Sequence, residues 1–228
     1  WRESAIAKIG EVARRIALID VPVSEDPLWQ GFVRAFRFSP EVEQALLDGT
    51  DTTAFEHFGE LSRYAHALSR LTISQTVVRA GGAINVLPSS AILELDIRPL
   101  PGTTQDDVDA ILTDALGDLA DEVRIEHLIS EPATVSPTSG PLYDALLATF
   151  EEFFPGVPVV PTVAAGGSDL RFGRRLGGVG YGFALHARQR TLGDVFAQLH
   201  THDEHIDLED LDLTVQAYRS LARRFLGV

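Results

Sequence analysis

The sequence predicts an α/β protein, in which a mixed α+β segment is followed by an α/β segment. Two observations favour this class. In the first half, runs of alternating apolar and charged residues, typical of a sheet with one buried face, stand between stretches of helical periodicity. In the second half, short apolar runs and helical stretches alternate along the chain, as they do where helices cover a sheet.

The first half is predicted to open with helices. One begins near Glu3 or Ser4, because the apolar residues that follow recur at helical spacing: Ile6, Ile9, Val12, Ala13 and Ile16. The stretch at about 20–70 is broken into short helical segments by prolines and a glycine: Pro22, Pro27, Pro40 and Gly49. We interpret this stretch as a helical insert.

Strands and one further helix follow the insert. Residues 71–78 are β-rich, and Ala91–Arg98 alternates apolar and charged residues as a half-buried strand does. Thr103 or Thr104 caps a helix that runs to Gly117, and 123–129 alternates again. This order predicts a split β-α-β-β-α-β, ferredoxin-like unit whose first strand would lie upstream of Trp1.

The second half begins after a turn-rich stretch at 131–141, so we place two domains at 1–130 and 131–228. The elements predicted after this stretch are a helix at 142–154, a buried strand at 157–163, a turn at 164–169, a helix over Leu170–Arg175, a strand at 178–183 and a helix over Leu208–Leu226. The last helix has apolar residues available for burial: Leu211, Leu213, Val215, Tyr218, Leu221 and Phe225.

Composition argues against several classes of function. The formal net charge of −14 at pH 7 argues against a surface for nucleic acid or for an anionic membrane. Without cysteine there is neither a disulfide nor a thiolate zinc site, so a bound metal needs His and carboxylate ligands. No apolar run approaches the roughly 20 residues of a membrane helix, and no secretion signal is evident, which favours a cytoplasmic protein. The chain contains no Met, so we expect polypeptide upstream of Trp1.

The first candidate site is the segment His200-Thr201-His202-Asp203-Glu204-His205. Zinc prefers imidazole nitrogen and carboxylate oxygen, and Asp203 or Glu204 could accept the second ring N–H of a ligand histidine. A turn before a helix also collects such residues as caps and solvated charge. Because the chain has no second cluster of comparable density, the sequence indicates at most part of a metal site.

Two glycine-rich segments are further candidates. Gly166-Gly167-Ser168-Asp169 is either a strand-to-helix turn capped by Ser168 or Asp169, or a turn whose free N–H groups bind a carboxylate with help from Arg171. In the segment 81–88, Asn85 is either a turn residue or a group that acts on substrate. Arg98, at a strand end, is either solvated charge or part of the same site. The local pattern leaves these alternatives open.

Four motifs occur in a fixed order: Gly81-Gly82-x-x-Asn85-Val86-x-Pro88, Asp96-Ile97-Arg98, Gly167-Ser168-Asp169-x-Arg171 and His200-x-x-Asp203-Glu204. Together they closely resemble the two-zinc exopeptidase and amidohydrolase family of aminoacylases, acetylornithine deacetylase, succinyl-diaminopimelate desuccinylase, glutamate carboxypeptidase and carboxypeptidase S. The helical insert is most similar to the aminoacylase and carboxypeptidase S branch. The resemblance implies that 1–130 is a lid and dimerisation domain, and 131–228 the closing part of a zinc-exopeptidase α/β domain.

The resemblance also implies roles for individual residues. His200 matches the family's last zinc ligand, whereas His202 matches no required ligand. Asn85 and Arg98 match lid positions that reach the substrate carboxylate or the developing oxyanion, often in the active site of the other subunit. The turn that grips the free carboxylate of the substrate is matched by Gly167, Ser168 and Arg171.

Other parts of the family pattern have no counterpart in residues 1–228: a His-x-Asp motif, a metal-bridging Asp, a Glu-Glu pair that includes the general base, a further acidic ligand and a lid His.

The intact enzyme would use two zinc ions, with cobalt or manganese as alternatives, to activate water for attack on an amide bond. We therefore expect part of a zinc-dependent hydrolase of N-acyl amino acids or small peptides, inactive alone, completed by an N-terminal segment and homodimeric through the lid. The alternative is a non-catalytic dimerisation or ligand-binding module derived from that family.

Overall fold

The computed structural model describes residues 4–199 and 201–227, which form two compact units. The hairpin unit contains the residues up to Val23 and Ser69–Ala133, and the helical unit contains Ser24–Leu68 and the residues from Thr134 onward. The helical insert thus groups with the C-terminal part of the chain, whereas the sequence grouped it with 1–130. The division into a lid domain and a catalytic domain stays a prediction.

Helices dominate the described residues. In chain order they are α1 (Ala5–Ala17), α2 (Pro27–Ala35), α3 (Pro40–Asp48), α4 (Ser62–Ser69), α5 (Gln105–Leu116), α6 (Pro141–Phe153), α7 (Leu170–Arg175), α8 (Leu192–Gln198) and α9 (Leu208–Leu226), with 3₁₀ helices at Thr52–Leu61 and Gly117–Glu122. The strands β1 (Thr72–Ala80) and β2 (Ala91–Arg98) pair antiparallel. The described part of the chain is therefore α+β, and none of its helices is long and apolar enough to cross a membrane.

The hairpin unit packs α1 and α5 against the apolar face of the sheet. The Ser4 hydroxyl accepts a hydrogen bond from the N–H of Ala7 and begins α1, while Thr104 and Asp107 form a reciprocal capping box that begins α5. Both predicted helix starts are confirmed. The buried residues of this core are Val12, Ile16, Leu71, Val108, Leu112 and Leu116.

The hairpin itself confirms the two central strands of the prediction. Its register runs from Thr72 opposite Arg98 to Ala80 opposite Ala91. A bulge leaves Thr76 outside the ladder, and the Thr76 hydroxyl donates to the carbonyl of Glu94 at 3.2 Å.

The predicted third strand at 123–129 is wrong. Val123 and Ile125 pack against the same apolar core as Leu95, as the alternation predicted. No strand pairs with this segment among residues 4–199 and 201–227, and a strand needs a hydrogen-bonded neighbour for its N–H and C=O groups. Only the middle of the β-α-β-β-α-β order is observed, and the ferredoxin-like topology stays a prediction.

The helical insert is confirmed as a set of short helices around an aromatic cluster. The rings of Trp29 and Phe55 stack with centroids 5.9 Å apart. Pro27 and Pro40, which interrupt the sequence pattern, stand in the first turns of α2 and α3, where a backbone N–H has no helical partner to lose. The prolines thus begin helices in this segment.

The C-terminal half has its predicted helices but not its predicted strands. The helices α6, α7 and α9 are confirmed, whereas 157–163 and 178–183 form no strand. Val157 and Val179 are each about half exposed, at 51% and 50%. Apolar runs alone do not make a strand when the described residues offer no ladder partner, so the predicted α/β layer is not observed.

Two features of this half differ further from the sequence prediction. The helix α8 was missed, although Thr191 and Asp194 form a capping box whose T-x-x-D spacing is visible in the sequence. In α9 the buried residues are Asp210, Ala217 and Leu221. Of the residues expected to be buried, four remain 41–50% exposed in the structure: Leu211, Val215, Tyr218 and Phe225.

The hairpin unit offers one buried and one exposed leucine for a matched pair of substitutions. Leu112 is 5% exposed and Leu128 is 76% exposed. We expect Leu112→Ala to lower the free energy of unfolding by about 2–5 kcal/mol, because it leaves a cavity, and Leu128→Ala to change it by less than about 0.5 kcal/mol. Urea denaturation followed by circular dichroism measures both, and equal effects would contradict the assigned core.

Candidate functional site

Asn85 lies in the loop that joins β1 to β2. The loop turns where the N–H of Val86 donates to the carbonyl of Ala83 at 3.3 Å. Asn85 is exposed, as are its neighbours Ile84 and Leu87. The side-chain amide of Asn85 is therefore accessible to a group approaching the loop.

Arg98 is the last residue of β2. Its Nε and Nη2 atoms donate to Oδ2 of Asp96 at 3.1 and 2.9 Å, across two residues on one face of the strand. Both side chains are about half exposed, so this ion pair is worth little and can be exchanged for another anion.

Asn85 and Arg98 lie at opposite ends of the hairpin. β2 spans seven residue steps from Ala91 to Arg98, which at the usual rise is about 23 Å, and Asn85 lies beyond its first residue. A single copy of the hairpin thus cannot bring both side chains to the same substrate atom. If both residues contact a substrate, they contact different parts of it or belong to different copies of the chain.

The Gly166–Ser168 segment is a turn that leads into α7. The Ser168 hydroxyl accepts from the N–H of Leu170 at 3.2 Å, and the Ser168 carbonyl accepts from the N–H of Arg171 at 3.2 Å. Ser168 thus supports the turn just before the helix, whereas Asp169, the N-cap residue of α7, makes no side-chain capping bond, so the predicted side-chain cap is not observed. Because α7 has only six residues, its dipole is small, and an anion would depend chiefly on side-chain charge.

Arg171 supplies such a charge beside the turn. A Cβ atom on Gly167 would lie 3.3 Å from Nη1 of Arg171, so the absence of a side chain at Gly167 allows the guanidinium to approach the backbone. The guanidinium carbon also lies 4.8 Å from the centroid of the Phe172 ring. The structure therefore brings together Gly167, Ser168 and Arg171 as the sequence predicted, although their role in binding stays a prediction.

A second arginine of α7, which the sequence analysis did not single out, anchors the helix. Arg174 donates from Nε to the Ser136 hydroxyl at 2.9 Å, from Nη2 to the Gly180 carbonyl at 2.6 Å and from Nη1 to the Thr134 carbonyl at 3.2 Å. Ser136 is 7% exposed. These charge-assisted bonds join α7 to the chain segments on both sides of it. No local sequence pattern marks this role.

His200, the predicted zinc ligand, lies outside the described residues. The residues that follow it form a loop bound to the end of α8: the Gln198 side chain donates to the His205 carbonyl at 3.1 Å, and the Thr201 hydroxyl donates to the Gln198 carbonyl at 2.8 Å. The Nδ1 atom of His205 lies 2.6 Å from the carbonyl of Asp203. The loop is therefore held by the end of α8.

An open depression of about 500 Å³ lies beside this loop. Four carboxylates line it, those of Glu60, Asp194, Asp203 and Asp207, together with Arg190 and His205. Residues 4–199 and 201–227 contain no group of three His or carboxylate side chains placed to hold a metal ion. The described residues alone therefore do not form the expected metal site.

Asp210 fixes the segment 185–190 to the start of α9. It is 2% exposed, and its carboxylate accepts from the N–H of Ala187 at 2.7 Å and lies 2.9 Å from Nδ1 of His186. Burial favours a higher pKa for Asp210, but the hydrogen bonds from Ala187 and His186, with the charge of Arg190, bring the pKa below its ordinary value of 3.8. The buried charge is thus compensated.

Comparisons with known proteins agree with the family resemblance. The model of the peptidase family M20/M25/M40 matches residues 6–224. A probable carboxypeptidase S-like 2 from Dictyostelium discoideum is 34% identical over 107 residues, which cover 46% of this chain and 20% of that protein. The N-fatty-acyl-amino acid synthase/hydrolase PM20D1 from Xenopus tropicalis is 31% identical over 163 residues, covering 71% of this chain and 31% of that protein. No solved structure matches the chain.

The chain belongs to peptidase family M20/M25/M40, because the family match extends over most of its length. The matched stretch spans less than a third of either relative. The family confirms the resemblance to aminoacylases and carboxypeptidase S.

Asp210 provides a test of how the helical unit depends on pH. Since the folded pKa is depressed, its stabilisation is complete above 3.8 and is lost as the pH falls through the lower folded value. We expect Asp210→Asn to lower the free energy of unfolding at pH 7 by about 1.5–3 kcal/mol, the worth of a charged hydrogen bond, and the difference from the wild type to shrink below pH 3.8.

Urea midpoints measured between pH 7 and pH 3 test this expectation. The matched control is Asp212→Asn, which changes an exposed carboxylate of the same helix and should cost less than about 0.5 kcal/mol. A difference between Asp210→Asn and the wild type that stayed constant with pH would contradict the assigned charge state.

Proposed function

We propose that this chain forms part of a hydrolase that cleaves the amide bond of N-acyl amino acids or small peptides. The proposal depends on one observation: within a chain of the M20/M25/M40 peptidase family, the Arg171 guanidinium lies against the Gly167–Ser168 turn. A cation beside an accessible backbone turn suits a ligand with a free carboxylate. Both N-acyl amino acids and peptides have one.

In the proposed complex, Arg171 binds the carboxylate of the substrate. Arginine presents two parallel N–H groups that match the two oxygens of a carboxylate. Gly167 lets the Arg171 guanidinium lie against the backbone, and the Ser168 hydroxyl adds a polar contact at the turn. Arg174 keeps α7, and with it Arg171, in place.

The proposal assigns Asn85 and Arg98 to the polar groups around the reacting carbonyl. Donors placed where negative charge develops stabilise a tetrahedral intermediate. Because the two residues lie at opposite ends of the hairpin, only one of them acts at a given carbonyl from one copy of the chain. The other acts on a different part of the substrate or in a partner subunit, which is consistent with a homodimer formed through the hairpin unit.

Members of this family are generally metal-dependent, typically on zinc. We assign His200 as the ligand that this chain contributes. The described residues do not supply a complete donor set, so the remaining ligands and the general base are proposed to come from polypeptide outside these 228 residues. The greater length of both relatives supports this assignment.

The comparison with PM20D1, which is named as an N-fatty-acyl-amino acid synthase/hydrolase, supports the acyl part of the proposed substrate. This relative covers more of the chain than the carboxypeptidase S-like protein does, at 71% against 46%. We therefore propose N-acyl amino acids ahead of peptides as the substrate class.

The role of Arg171 can be tested with two substrates that differ in one group. In the complete protein, we expect Arg171→Ala to raise KM for an N-acyl amino acid by about 10- to 100-fold, because a charged hydrogen bond is lost. KM for the corresponding N-acyl amino acid amide should change little. Arg219→Ala, which alters an exposed arginine of α9, is the control. Equal losses for both substrates would contradict the carboxylate assignment.

The metal assignment has an independent test. We expect His200→Ala to lose bound zinc, measured by mass spectrometry of the purified complete protein. We also expect kcat/KM to fall by more than about 100-fold, because loss of a residue that only hydrogen-bonds to a metal ligand already costs up to about 100-fold. His202→Ala should keep both. If His200→Ala retained zinc and turnover, the proposed ligand would be incorrect.

A further inference from the structure

Tyr64 lies at the meeting point of three parts of the helical unit. It belongs to α4 of the insert, and its hydroxyl donates to the carbonyl of Val163 at 3.2 Å. Its ring stacks on Phe196 of α8, with centroids 4.4 Å apart and planes inclined by 25°. Burial raises the pKa of the Tyr64 hydroxyl, which therefore stays protonated and able to donate at neutral pH.

The bond to Val163 acts on the segment before the Gly166–Ser168 turn. Val163 lies three residues before Gly166, in a stretch that forms no strand. Backbone groups there are not held by a ladder, so a hydrogen bond from a side chain has a larger share in fixing their position. The Tyr64 hydroxyl thus helps to determine where the turn lies.

The stack on Phe196 acts on the other side of the site. Phe196 lies two residues before Gln198, whose side chain and carbonyl bind His205 and Thr201 in the loop after α8. The insert and α8 also approach closely at Gly193, where a Cβ atom would lie 2.7 Å from Oε2 of Glu60. The position of α8, and of the loop after it, therefore depends on the insert.

We propose that Tyr64 is a positioning residue that sets both the carboxylate-binding turn and the metal-ligand loop. The inference rests on the proposed function of that site. The two contacts of Tyr64 are chemically separate, since the hydroxyl reaches the turn and the ring face reaches α8. Each contact can therefore be removed without the other.

Two variants of the complete protein separate the contacts. Tyr64→Phe removes the hydroxyl and keeps the ring, and we expect KM for an N-acyl amino acid to rise by about 3- to 10-fold, the usual worth of one hydrogen bond, with kcat and zinc content unchanged. Phe196→Ala removes the stack and keeps the hydroxyl bond, and we expect the Kd for zinc alone to rise by about 3- to 10-fold, within the range for an aromatic pair. Tyr143→Phe is the control, because its ring packs against Tyr181 elsewhere in the helical unit.

Amide hydrogen exchange gives a readout that does not require activity. Tyr64→Phe should speed exchange in 164–170 more than in 199–206, and Phe196→Ala should do the reverse. If the wild type neither binds zinc nor hydrolyses substrate but the exchange pattern appears, the proposed function fails and the positioning role stands. If both variants change both segments equally, or neither changes any, the positioning role is overturned.

Discussion

The helical unit depends on side chains that bind the backbone of its extended segments. Outside the hairpin, the described residues form no β-ladder, yet their extended stretches carry N–H and C=O groups that need partners. Polar side chains of neighbouring elements supply several of these partners. Tyr64 donates to Val163, Tyr181 to Pro137, Thr214 to Leu185 and Tyr218 to Phe183, while the Ser136 hydroxyl bonds both polar groups of the Gly180 backbone.

This mode of support determines how the proposed site is built. A β-ladder fixes a whole segment through repeated backbone hydrogen bonds, whereas a side-chain hydrogen bond fixes a single backbone group. A single substitution can therefore shift one loop and leave the next one in place. The turn at Gly167 and the loop after α8 are both supported in this way, through Val163 and through Gln198. Their geometry is set by residues other than those proposed to bind substrate and metal.

Local patterns predicted the helices and the hairpin, because the information for them is local. The apolar spacing and cap of α1, the capping box at Thr104 and the alternation of β2 all lie within the element concerned. The stretches 123–129, 157–163 and 178–183 have similar local signals, but strand formation depends on a remote partner that such signals do not contain. The grouping of the insert with the C-terminal half depends on distant contacts for the same reason. Motif order predicted the family, whereas the separation of Asn85 from Arg98 and the contacts of Tyr64 required the fold.

Arg171 and Arg174 divide the proposed binding role and the structural support between them within one short helix, α7. Six residues are too few for a helix to persist on its own, so α7 needs an external anchor. Arg174 supplies it, with its donors directed to the segments at 134–136 and at 180. Three residues earlier, Arg171 lies between the Phe172 ring and the Gly167 turn. In a chain with a net charge of −14, the anionic substrate that we propose would need a local cation to overcome general repulsion. Such a cation is selective only if its position is fixed. The proposed role of Arg171 therefore depends on the hydrogen bonds by which Arg174 anchors α7.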